Sequence, residues 1–562
     1  MHFSLLILLL LPTYTCARTV GGVYPALLQG TKRNPGVKVR LDRRGVDYLN
    51  KIGAQAIDQE VPKIRLAKVQ GSVPPPHKGT VRLHDVRVTK YKPGKASITL
   101  KPPDKVKWTI RNYLIQVRGK LRGRFVHNGL LPVDLTGEIE ITASRVNFEM
   151  TAAISSTKGR PFITSTHCAA KIGRISILVR NGGLVGGVIN LVKNQVERVV
   201  KPVLQRQLCP LVKTFVDRDL NNRIGMLPAK LPLSDIRNID LAGGKIKRRP
   251  KKSKRSSKST DDLVRDFLDS DQLWIDYSLK GKPMVTNNFI QSSHAGEVSY
   301  KGLGQTPFGP SRLYDPTSSK KKKRMSYFFV SDFVPNSMLY HTYKTGMLSY
   351  RINRKTPKFG QFMRTTCDSG EVQFCLGDLI PALADEYPDK RLEIRMKATQ
   401  PPAVIFYSSN GGRVHAIGKG KAHILVRRKK RSKKLKKVLS VDIDVRAWTK
   451  LWIHDHKVKG NMTFDRFRFK LRQTSLPDVD EYTVEELEEL ARAMVHQVMN
   501  NLLDNGIPIP TVKGVEMTNS HVHIYSRSMV VSTDFEVDKD VLRQLARQVI
   551  AHGVKSINGR RG

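Results

Sequence analysis

The side chains best placed to do chemistry in this sequence are cations rather than nucleophiles or metal ligands. Nine of the eleven positions from 427 to 437 are Lys or Arg: Arg427, Arg428, Lys429, Lys430, Arg431, Lys433, Lys434, Lys436 and Lys437. Arginine forks pair bidentately with phosphate and lysine adds compact charge, so a run of this kind binds polyanions. Two further runs, five cations at 320–324 and nine at 245–258, are of the same type. With those twenty-three charges set aside, the formal net charge of +50 still stands at +27, so the positive field belongs to the folded body as well. Its partner is anionic: a phosphate-rich membrane, a sulfated heparin-like polysaccharide, or nucleic acid.

Other chemistry is poorly represented. No G-x-S-x-G elbow, H-E-x-x-H helix, P-loop or dinucleotide glycine fingerprint occurs, and the chain is read as a non-enzyme without metal or cofactor. His454 with His456, and His521 with His523, are H-x-H pairs expected on strands with both rings on one face. Lacking Cys or acidic partners at ligand spacing, they are expected to be solvated.

The elements that must carry the cations follow from periodicity. VKVRLD at 37–42 alternates like a strand and hands over to an amphipathic helix in which Val46, Leu49, Ala56 and Ile57 share a face. Residues 80–180 read as a meander of antiparallel strands, with Leu135, Gly137, Ile139 and Ile141 opposing Thr136, Glu138, Glu140 and Thr142. Val185, Val188, Val192, Val196 and Val199 then fall at helical spacing, and this long helix is expected to end near IGMLP at 224–228. After a basic linker the order repeats: strands from about Leu273, more strands between 390 and 471, then a long helix over 483–503, with Thr483 and Glu486 as its capping box. The 427–437 run lies between the strand-like segments KAHILV and VLSVDIDV, so it is expected to be a projecting hairpin loop that touches a membrane.

The compartment is read from the start of the chain, where an apolar stretch at 5–11 is followed by Thr15-Cys16-Ala17, a small-residue cleavage pattern. Cleavage after Ala17 leaves Cys168, Cys209, Cys367 and Cys375, an even set suited to a secreted, extracellular protein. Of three pairings, Cys367 with Cys375 is favoured by the turn-forming Asp368-Ser369-Gly370 between them, with Cys168 to Cys209 by default. Asn461-Met462-Thr463 is a glycosylation sequon. The domain reading is a signal peptide at 1–17, a lead at 18–33, a first barrel at 34–241, a basic linker at 242–262, a second barrel at 263–538 and a basic tail at 539–562.

NPGVKVRLDRRGVDYL at 34–49, the cysteines Cys168 and Cys209, SYFFVSDFVPNSMLYHTYKTGML at 326–348 and GIPIP at 506–510 together resemble the two-barrel lipid-binding family of bactericidal permeability-increasing and lipopolysaccharide-binding proteins. The resemblance covers most of the mature chain. It implies an α+β fold: an elongated boomerang of two similar domains, each a twisted antiparallel sheet wrapped on a long helix, joined by a central sheet. It also implies apolar pockets for acyl chains, lined here by Val46, Leu49, Val188, Val192, Val196 and Val199, although the same valines can simply complete a core. Bound phospholipid or a similar lipid is the ligand it implies. A cationic tip on the first barrel is a further implication, placed on VRGKLRGRF with Arg118, Lys120, Arg122 and Arg124 at alternate positions and Lys63, Arg65 and Lys68 nearby. The partners implied are lipopolysaccharide, phospholipid and anionic membrane surfaces, in innate defence. An extracellular lipid carrier held on sulfated sugars is the rival reading; a nucleic-acid binder is a third, and no nucleic acid is expected.

Overall fold

The computed structural model describes residues 22–558 apart from 73–77, 128–130, 182–200, 202–204, 206–208, 211, 227, 235–238, 241–244, 247–271, 316–322, 357–358, 368–373, 428–433 and 509–513. Three sheets dominate it. In the N-terminal sheet the strands Arg65–Ser72, Lys78–Lys92, Lys105–His127, Leu131–Thr157 and Arg160–Arg180 lie side by side in chain order, and Lys95–Lys101 pairs with the third. The expected meander is therefore present, built from strands of unusual length. Alternation along Leu131–Thr157 changes phase at Arg145, whose φ is 50°, so that burial passes to Val146, Phe148 and Met150.

The central sheet takes strands from both ends of the chain, in the order Met284–Val285, Phe289–His294, Val37–Asp42, Ser326–Ser331, Ser528–Val537, Val515–Tyr525. Val37–Asp42 runs directly into helix α1 (Arg43–Glu60), and Ser326–Ser331 is followed one residue later by helix α2 (Phe333–Lys344). These two strands pair antiparallel with Val39 opposite Phe328, so the two strand–helix units are placed head to tail across one seam. Arg40 is the bolt of that seam. Only 2% exposed, its guanidinium donates to Gln291 Oε1 at 2.9 and 2.6 Å and to Asp315 at 3.1 and 2.5 Å. Phe289 and Phe329 lie 4.0 and 5.0 Å from it. A buried charge is tolerated only when paired and hydrogen-bonded in this way.

The C-terminal sheet has the order Ser349–Ile352, Arg391–Ala398, Arg413–Arg427, Lys436–His454, Lys457–Thr474, Ile507–Pro508, with Ala403–Tyr407 paired on Arg413–Arg427. Helix α3 (Glu481–Asn505) lies against Lys457–Thr474, and its Val484 and Leu487 join a core with Ile380, Leu383, Val426 and Leu439. The cap differs from the sequence expectation. Asp480, not Thr483, is the N-cap, and its carboxylate accepts the Thr483 N–H at 2.9 Å, because the helix begins two residues earlier. In the first half the described part of the long helix passes through a π turn at Phe215–Leu220 and ends with Asn221–Met226, next to the expected IGMLP.

Both expected disulfides are formed, each with Cα atoms 5.7 Å apart. Cys375 caps the short helix Leu376–Leu379. The segment read as a basic tail is largely helix α4 (Lys539–Asn558), and it packs on α1, with Arg547 Nε 3.0 Å from Glu60 Oε2. None of the described helices is long and apolar enough to cross a membrane.

Candidate functional site

Register assembles the cations of the N-terminal sheet. Gly119 and Leu121 face inward, so Arg118, Lys120, Arg122 and Arg124 take the outer face as their alternation requires. The neighbouring strand places Arg87 opposite Arg118, His84 opposite Lys120 and Arg82 opposite Arg122. One strand further on, Arg65 stands opposite Arg87 and Lys68 opposite His84. The rows Arg65–Arg87–Arg118 and Arg82–Arg122 thus place like charges as direct neighbours, which costs stability unless an outside anion screens them, and the row Lys68–His84–Lys120 sets an imidazole between two lysines.

Carboxylates stand at the far end of these rows, on Leu131–Thr157, and at the Asp85 bulge of the middle strand. Glu140 accepts from Arg118 at 2.7 Å, and this hydrogen bond, followed by Coulomb attraction, raises the Arg118 pKa further above its ordinary value. Lys120 lies 3.6 Å from Asp85, and Arg124 lies 3.6 Å from Asp134, both on exposed surface where such pairs contribute little. Arg82, Arg87 and Arg122 form no ion pair with any described residue. Lys63 departs from expectation: it sits in the Val61–Lys63 turn, outside the sheet, and binds Glu60 at 2.8 Å.

The strands that flank the 427–437 run are neighbours in the C-terminal sheet. Arg413–Arg427 and Lys436–His454 pair up to Val426 opposite Lys436. Lys436 is engaged, donating to the Tyr387 hydroxyl at 2.5 Å and lying 5.2 Å from its ring centre, while Lys434 and Lys437 are exposed. Arg428, Lys429, Lys430, Arg431 and Lys433 lie outside the described residues.

Models of the LBP / BPI / CETP family match this chain twice, the N-terminal domain at residues 45–222 and the C-terminal domain at 268–537. The chain belongs to that family. It is 24% identical to a bactericidal permeability-increasing protein of Sebastes schlegelii, over 90% of this chain and 95% of the relative. It is 22% identical to a lipopolysaccharide-binding protein of Bos taurus, over 92% and 98%, and 21% identical to a phospholipid transfer protein of Mus musculus, over 92% and 93%.

Of the residues that the resemblance implied as pocket lining, Val46 is 3% exposed and packs with Leu100 and Val285, because α1 leaves the central strand directly. Leu49, nearly one turn on, is half-buried. Val188, Val192, Val196 and Val199 lie outside the described residues. Asn461 is exposed on Lys457–Thr474. His454 and His456 do not share a strand face: Asp455 and His456 form the hairpin turn, with φ of 49° and 58°, and His456 lies 3.5 Å from Glu516. Among the described residues the metal-capable group is Cys367, Cys375 and Asp378, whose sulfurs are joined in the disulfide.

Sequence reasoning missed Arg82, His84 and Arg87. TVRLHDVRV does alternate, but Asp85 at φ 52° inserts a bulge that brings Arg87 onto the face of Arg82 and His84.

Proposed function

We propose that this chain is a secreted, non-catalytic lipid-binding protein of host defence. It docks on lipopolysaccharide or anionic phospholipid membranes through the outer face of its N-terminal sheet and holds acyl chains beneath its long helices. The observation that carries this reading is the pair of like-charged rows Arg65–Arg87–Arg118 and Arg82–Arg122, with Lys68 and Lys120 beside them on the same face. Cations kept adjacent with fewer carboxylates than charges lower the stability of the sheet that bears them, and a phosphate-rich surface removes that cost on contact. Guanidinium forks suit the phosphates of lipid A and of anionic phospholipids alike.

The relatives' names support the ligand class: two are named for lipopolysaccharide binding and bacterial permeability, one for phospholipid transfer. The 427–437 hairpin adds a second cationic contact on the other barrel. Near an anionic leaflet each cation contributes about 1 kcal/mol, lost as salt screens it. Vesicle co-sedimentation tests docking: binding is expected with anionic vesicles and not with neutral ones. Organic extraction of purified protein followed by mass spectrometry tests the pocket and should return phospholipid. Equal sedimentation with both vesicle types would refute the docking role, and folded protein without extractable lipid would refute the pocket.

A further inference from the structure

The second barrel has its own arginine cluster, set where the sheet ends. Beyond Val458 the Lys457–Thr474 strand has no strand neighbour on its outer side among the described residues, and α3 covers that edge with a polar stripe at every fourth residue. Glu488 accepts the Phe469 N–H at 2.7 Å, Arg492 donates to the Phe467 carbonyl at 3.0 Å, and Asn500 bonds both backbone groups of Met462 at 2.8 and 3.1 Å. Between these clips the strand bulges. Arg446 faces Arg466 and Ala447 faces Phe464, which leaves Asp465 without a cross-strand partner.

A cavity of about 620 Å³ opens at the bulge, and Arg446, Arg466, Arg468 and Arg492 converge on it, with Phe464 and Phe467 as its apolar wall. A second hollow of about 470 Å³ shares Phe464 and Arg492 and continues along Ala493 and His496 of α3. Two carboxylates serve the four guanidinium groups from within: Asp444 is 3.1 Å from Arg466 and 3.9 Å from Arg446, and Glu488 is 2.7 Å from Arg492 and 4.0 Å from Arg468. Asp465 also lines the cavity, which leaves one positive charge in excess there, and Glu489 lines the second hollow. Nε of Arg446 and Oδ1 of Asp444 are buried with no hydrogen-bond partner. A buried donor without an acceptor is costly, and Arg446 opposite Arg466 adds like-charge repulsion. A ligand oxygen beside Arg446 would relieve both.

We propose that this seam is a second anion site, separate from the N-terminal face, and that it takes a phosphate monoester carried on an amphiphile. The phosphate sits against Arg446 and Arg466, and the first part of the chain runs along Phe464 and Ala493. The inference rests on the lipid-binding reading above and adds to it a headgroup class and a location.

Isothermal titration of the full chain with a lysophosphatidic acid below its micelle concentration, with glycerol 3-phosphate and with a lysophosphatidylcholine tests it. Lysophosphatidic acid should bind best, and the double variant Arg446→Gln/Arg466→Gln should lose about tenfold or more. Ala493 is exposed, so Ala493→Phe should fold normally, fill the second hollow and weaken lysophosphatidic acid while leaving glycerol 3-phosphate unchanged. Should glycerol 3-phosphate instead equal lysophosphatidic acid in wild type, the amphiphile part is overturned. Removing Arg82, Arg87 and Arg122 should leave all three affinities unaltered. Wild-type lysophosphatidic acid affinity in the seam variants, with anionic-vesicle binding intact, would overturn this inference and leave the docking role standing. Seam-dependent binding together with vesicle binding indifferent to the N-terminal face would do the reverse.

Discussion

The outer faces of the two large sheets carry similar numbers of cations in different order. On the N-terminal sheet, Arg65, Arg87 and Arg118 are successive neighbours across three strands, and the carboxylates stand one strand beyond. Across the three longest strands of the C-terminal sheet the signs alternate: Lys421, Asp442 and Lys470 form one row, Lys419, Asp444 and Arg468 the next. Opposite charges across a strand pair stabilise the sheet they sit on, whereas like charges project an unneutralised field outward. One face is therefore built mainly to hold itself together, and the other to meet an anionic surface. Exceptions on the second barrel include Lys397 opposite Lys421, Arg391 opposite Arg427, and the arginine seam beside α3, where a bulge breaks the alternation.

The largest effect should come from removing the like-charged rows. Arg82→Ala/Arg87→Ala/Arg118→Ala/Arg122→Ala should weaken anionic-vesicle binding by about a hundredfold or more, measured by flotation. Lys419→Ala/Lys421→Ala/Lys470→Ala should weaken it far less, and equal losses would break the comparison.

Next comes the self-supporting side. Glu488 is 3% exposed, takes the Phe469 N–H and the Arg492 guanidinium, and its replacement by Ala should destabilise the second barrel by about 3 kcal/mol in urea unfolding. No comparable loss is expected from Arg122→Ala, since Arg122 has no described ion-pair partner.

A smaller effect should come with acid at the centre. Burial opposes ionisation of Glu297, but the neighbouring His341 imidazole at 3.9 Å and the two Thr306 donors at 2.9 and 2.5 Å outweigh it and hold the carboxyl at about 2, against 4.5 when unfolded. Its contribution, about 2 kcal/mol after allowance for partial solvent access, is present above pH 4.5 and lost as pH falls towards 2. Glu297→Gln should flatten that segment of the stability profile, and an unchanged profile would contradict the assignment. The smallest effect is expected at the α3 cap: Asp480→Ala should lower the unfolding midpoint of the second barrel slightly, with Asp480→Asn restoring most of it.

Much of this architecture was legible from period alone. Alternation at 37–42 and helical spacing from Val46 gave the first strand and α1, whereas 326–344 was matched only by resemblance. What period cannot carry is register. Arg87 joins Arg118 only because a bulge at Asp85 shifts the phase of its strand, and two short polar segments do not disclose which residues will face one another. Arg40 read as the polar half of an alternating strand, yet its partners, Gln291 and Asp315, lie 251 and 275 residues away. The α3 start was misplaced because Asp480 and Thr483 are both good caps, and tertiary packing of Val484 decided between them. Leu542, Leu545 and Ala546 of α4 do show helical spacing, but the surface they need is α1, almost 500 residues earlier.

Affinity for lipopolysaccharide and for anionic vesicles across a salt series, wild type against the Arg82/Arg87/Arg118/Arg122 alanine variant, addresses the like-charged rows most directly. Wild-type affinity should fall steeply with salt for both ligands, and the variant should bind weakly with a much shallower dependence. Equal affinities and equal slopes in the two proteins would show that the N-terminal face is not the docking surface.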